Sequence, residues 1–161
     1  MTNHYLRIYL NDHLAGAMAG VELAKRVAGS NKGNEFHDEL EALRADIEED
    51  RERLMKLMNQ LDIPQNPIKA PASWVAEKVG RLKFNGRFTG YSELSRLVEI
   101  EALVLGVEGK SGLWRTLKQF APLRDQIDES WLDSMLNRAT DQRERLEALR
   151  LRAAAIVAQA G

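Results

Sequence analysis

Glu101 and Glu108 stand seven residues apart in SRLVEIEALVLGVEGKSGLW, the apolar-rich stretch from Ser95 to Trp114. Seven residues is close to two helical turns, so both carboxylates share one helix face. Reading Leu94, Leu97, Val98, Val104 and Leu105 as the buried stripe turns that face inward. A buried carboxylate either holds a metal ion or meets a cation, because leaving it unpaired costs several kcal/mol. The polar residues expected to join it are Asp50 and Arg51, which flank the apolar centre of an earlier segment, Gln142 and Arg143, which flank a later one, and His13. These types favour an ion-pair network. A guanidinium serves a carboxylate bidentately and stays charged, and it repels a dication. The alternative is a metal site built from Asp50, Glu101, Glu108 and His13, holding iron or manganese and activating oxygen.

Four long helices are expected to carry these groups. Apolar residues recur at helical spacing. The first stripe is Leu6, Leu10, Leu14, Ala17, Val21, Ala24 and Ala28. The second runs from Phe36 through Leu40, Leu43, Ile47, Leu54, Leu57 or Met58 to Leu61. The third has just been given, and the fourth uses Trp131, Leu132, Met135, Ala139, Leu146, Leu149, Ala153 and Val157. No sustained alternation of period two marks a strand, so the chain reads as all-α. The third helix has a second apolar face, Ile100, Leu103, Val107 and Trp114, which predicts a cover: the crossover, or the second subunit of a homodimer.

The breaks differ in length. GSNKGNE, with Asn34 as expected cap, and FAPLRDQIDES, with Asp128 as cap, are short and imply antiparallel neighbours. The connection over about residues 62–90 holds three of the four prolines, and Pro71 followed by ASWVAEKVGRL reads as a short helix within it. Such a connection travels back along the bundle, leaving the second and third helices parallel. It also gathers Lys69, Lys78, Arg81, Lys83 and Arg87 among Trp74, Phe84 and Phe88, an alternative site for an anion or nucleic acid.

Two antiparallel pairs joined by one long crossover is ferritin-like topology. YLNDHLAGAMAGVELAKR resembles the first helix of ferritin-like and rubrerythrin-like proteins, ELEALRADIEEDRERLMKLM their second and TDQRERLEALRLRAA their last. The resemblance covers the four helices and points to a bacterial branch of the ferritin-like superfamily. It implies a four-helix bundle whose di-iron ligands are a Glu on each of two helices and Glu-x-x-His on the other two. Here that set is degenerate. Val21 stands at the first-helix position, Ile47 and Asp50 in the second helix with Arg51 beside them, and Ala139 and Gln142 in the fourth with Arg143 following. No histidine occurs beyond His37.

The 161 residues suit one domain, 1–161. Lys and Arg number 23 against 24 Asp and Glu, so no global field recruits nucleic acid or an acidic membrane. There is no cysteine, which removes thiolate nucleophiles and thiolate metal sites. The N-terminal MTNHYLRIYLNDHLAG lacks a continuous apolar core, and no run reaches the roughly 18 apolar residues of a membrane span; a cytoplasmic protein is expected. Gly109-Lys110-Ser111 is not a phosphate loop, because Val104 replaces the required glycine. The expected function is a structural, partner-binding or small-ligand-binding module without cofactor and with an Arg–carboxylate core, more a binding protein than an enzyme.

Overall fold

The structure is a computed structural model that describes residues 4–66 and 90–160. Within them lie four long helices and no strand. These are α1 (His4–Ser30), α2 (His37–Gln60), α3 (Glu93–Gln119) and α4 (Glu129–Gln159), with a 3₁₀ turn at Ala121–Leu123. The expected short helix after Pro71 lies outside the described residues. Among them, no helix is long and apolar enough to cross a membrane.

Local chemistry sets the helix ends. Ser92 begins α3 by accepting from the Ser95 N–H, and Asp128 begins α4 by accepting from the Ser130 N–H. Asn34 is not the cap of α2. Its Oδ1 accepts from the Phe36 N–H, closing an Asx turn one residue earlier, and Phe36 stands at the cap position.

The helices pack in the cyclic order α1, α2, α4, α3, with diagonal pairs making no close backbone approach. Side-chain pairs give the directions. Arg145 on α4 bonds Glu39 on α2 while Arg138 bonds Asp50, so α2 and α4 are antiparallel. Arg96, early in α3, bonds Asn31 just past the end of α1, while Leu10 and Trp114 share an apolar cluster at the opposite end. The chain leaves α2 at that end, where the Asn66 N–H donates to Asn11 Oδ1, and re-enters at the other, where Tyr91 meets Asn31.

Two apolar clusters fill the interior. One gathers Val21, Leu43, Ile47, Ile100, Leu103, Val107, Ala139 and Leu146, and the other Leu14, Leu54, Met58, Leu113, Trp114 and Met135. The second expected face of α3 is therefore the bundle face. Ile100, Leu103, Val107 and Trp114 are buried, which removes them as a homodimer surface. Of the stripe expected as core, Leu105 is 62% and Leu94 42% exposed, while Leu97 and Val104 are half-buried against the edge of the first cluster. The reason is length. The Ile100 stripe continues through Ser111 and Trp114 to Leu117 and covers both clusters, whereas the other ends at Leu105.

Candidate functional site

The buried polar centre lies where the two apolar clusters meet. On α2, Asp50 falls between Ile47 and Leu54, one in each cluster, and is 2% exposed. On α3, Lys110 falls between Val107 and Leu113 in the same way. On α4, Gln142 shares the face of Ala139 and Leu146, and Arg138 stands at its edge. Lys110 Nζ donates to Asp50 Oδ2 at 2.6 Å and to Gln142 Oε1 at 2.5 Å. Gln142 Nε2 donates to the same Asp50 oxygen at 2.7 Å, closing a triangle. Arg138 Nε donates to Asp50 Oδ1 at 2.7 Å, and its Nη2 reaches Glu49 Oε2 at 2.9 Å.

Burial opposes both charges. It would raise the Asp50 carboxyl, yet the Lys110 ammonium and the hydrogen bonds from Lys110, Gln142 and Arg138 hold that carboxyl below the usual aspartate range. It pulls Lys110 below the usual lysine range, with Asp50 resisting. The acid is thus ionised and met on both oxygens by cations. Beside Glu49, an open groove of about 600 Å³ has Leu57, Ile127 and Trp131 among its lining, with Arg53, Lys56 and Gln60.

A second polar cluster closes the end of the bundle where α1 stops and α3 starts. Glu99 is 1% exposed and meets Arg26 Nε at 2.9 Å. Asn31 organises its neighbours: it accepts from Arg96 Nε at 2.6 Å and donates to the Val27 carbonyl and the Tyr91 hydroxyl. Burial, then the Glu99 charge, pushes the Tyr91 hydroxyl above its ordinary range. Arg96 and Arg152 each place a guanidinium over the Phe36 ring, at 4.6 and 4.9 Å.

The residues singled out in the sequence scatter. Asp50 and Gln142 come together in the buried centre. Glu101 and Glu108 turn outward: the Glu108 side chain is 52% exposed and pairs with Arg115, and Glu101 reaches Arg150 at 3.4 Å. Arg143 is exposed. Arg51 is half-buried along the edge of α2, 3.7 Å from Glu48. His13 is half-buried with its ring edge-on to Tyr9, and burial holds it below the ordinary histidine range against the pull of Asp12. Asp50, Glu101, Glu108 and His13 therefore do not converge. Among the described residues no three His, Asp or Glu side chains are placed to hold a metal ion. The basic set Lys69, Lys78, Arg81, Lys83 and Arg87 lies outside the described residues.

Lys110, Arg138 and Glu99 are the groups that sequence reasoning missed. Leu103, Val107, Lys110, Trp114 and Leu117 follow heptad spacing, which marks Lys110 as inward once the correct stripe is chosen. No family model, curated protein or solved structure matches the chain.

Proposed function

We propose that this chain is a four-helix module of ferritin-like topology without a working di-iron centre, acting as a structural, partner-binding or small-ligand-binding protein. Two features support the topology. The pairs α2/α4 and α1/α3 are each antiparallel, and the α2–α3 connection begins beside Asn11 and ends beside Asn31, opposite ends of the bundle.

The observation that carries the reading is the Lys110–Asp50–Gln142 triangle. At mid-height, where a di-iron bundle gathers carboxylates and imidazoles, this chain supplies one carboxylate, one amide, one ammonium and one guanidinium. That donor set does not fit iron or manganese. Both Asp50 oxygens are already engaged, and two cations within hydrogen-bond distance would repel a dication. Lys110 and Arg138 together take the role expected of Arg51 and Arg143. The groove beside Glu49 offers both apolar and charged lining to a ligand or partner.

Metal analysis of protein purified without chelator, followed by calorimetric titration with iron(II) and manganese(II), tests the reading. Substoichiometric metal and no saturable heat are expected. Two tightly held ions per chain would overturn it.

A further inference from the structure

Three glycines, Gly106, Gly109 and Gly112, fall within seven residues at the middle of α3, around Lys110. Conformation does not require them, since the described glycines with positive φ are Gly33 and Gly90. Packing does not require them either: a Cβ added at any of the three would meet nothing within 4 Å. Each glycine inside a helix shifts the local equilibrium toward uncoiling by about two- to fivefold relative to alanine. Ser111 adds to this. Its Oγ donates back to the Val107 carbonyl at 3.3 Å, a bond that bends helices, and Ser111–Gly112 is the kind of pair at which kinks occur.

The softened turn lies where α3 passes from one apolar cluster to the other. Val107 belongs to the first, Leu113 and Trp114 to the second. The N-terminal half of α3 is further held by Arg96 on Asn31 and Glu99 on Arg26, and the C-terminal half by Lys118 on Asp133. Two anchored halves meet at a weak turn, and one side chain from that turn crosses the bundle to Asp50.

We propose that residues 106–112 form a hinge in α3, latched shut by the contacts of Lys110 with Asp50 and Gln142. Release of the ammonium leaves nothing else from this turn bonded to α2, and the halves of α3 can then bend about the glycines while their outer ends stay docked. Hinges of this kind absorb backbone change at a few positions between rigid elements.

Amide-resolved hydrogen exchange on the full chain tests the hinge. Amides 106–113 should exchange about tenfold faster than amides 99–104 and 114–117, and Lys110→Met should widen that difference. Gly106→Ala/Gly109→Ala should slow the central amides by about tenfold and raise Tm. Uniform exchange along α3 would overturn the hinge. So would a lowered Tm in the glycine variant, which would mean that close packing requires those glycines. Exchange unchanged by Lys110→Met would overturn the latch. The hinge is read by backbone exchange and the metal-free centre by metal content, so either can fail without the other.

Discussion

Lys110 Nζ lies 2.6 Å from Asp50 Oδ2, although α3 and α2 stand diagonally across the bundle and their backbones make no close approach. The four-carbon lysine stem spans that diagonal through apolar surroundings and delivers its charge at the end. Gln142 then bonds both members, so one amide from α4 fixes the angle at which acid and base meet. The contact ties α2 to α3 across the bundle by hydrogen bonds, beside the apolar clusters that both helices share. A fully bonded polar group between two apolar clusters also sets the register of the helices, because any axial slip leaves an ionised carboxylate unmet.

The outward placement of Glu108 and Arg143 gives a plain expectation. Glu108→Ala and Arg143→Met should each change unfolding free energy by no more than about 0.5 kcal/mol, as surface substitutions do. Urea denaturation measures this. A loss of several kcal/mol in Arg143→Met would restore Arg143 to the core and contradict its outward orientation on α4.

The fold was more legible in the sequence than the site. The stripes of α1, α2 and α4 are nearly the buried ones, because each of these helices carries one dominant apolar face: Leu6, Leu10 and Leu14, then Leu40, Leu43 and Ile47, then Leu132, Met135 and Ala139. On α3 two faces compete. The face with Leu105 carries Glu101 and Glu108, whereas the face with Trp114 carries Lys110, and Glu99 is buried beside it. Asp50 and Gln142 are legible because each of their helices has one dominant apolar face, and Lys110 is not because α3 has two. Trp114 held the deciding information. It is fully buried, its ring sits perpendicular to Trp131 with centroids 5.5 Å apart, and it extends the Ile100 stripe toward the end of the helix. The Asn31 cluster depends on residues 60 or more positions apart, and such contacts have no local pattern to read.

Asn31 is predicted to cost more than Tyr91 when its side chain is removed. Asn31→Ala leaves the buried Nε–H of Arg96 without its partner and takes from the Tyr91 hydroxyl one of its two contacts, the other being Glu99, a loss of about 2–3 kcal/mol. Tyr91→Phe removes the hydroxyl from both Asn31 and Glu99 and should cost about 1–2 kcal/mol. Thermal melting of both variants checks the order. Equal losses would show that Asn31 does not organise the cluster.

Stability should fall in acid in two separate windows. Burial holds the folded His13 value below 6.5, so the unfolded chain binds the proton more readily. His13 therefore contributes stability that is complete above its unfolded value and is lost as pH falls through the folded one. The Asp50 carboxyl is also lowered on folding, so its contribution is complete above the ordinary aspartate value of about 3.9 and disappears below it. His13→Gln should flatten the dependence of Tm between about pH 5 and 7 and leave the more acidic limb intact. A wild-type-like slope near pH 6 in His13→Gln would remove His13 from the account.

The coupling between Lys110 and Asp50 tests the central claim most directly, through a double-mutant cycle of Lys110→Met and Asp50→Leu measured by equilibrium urea unfolding. Lys110→Met alone should cost about 3–5 kcal/mol, because it leaves a buried carboxylate short of its ammonium. The double variant should be more stable than the sum of the single losses by about 2 kcal/mol or more. Losses that add to within about 0.5 kcal/mol would contradict a bundle centre neutralised by its own lysine.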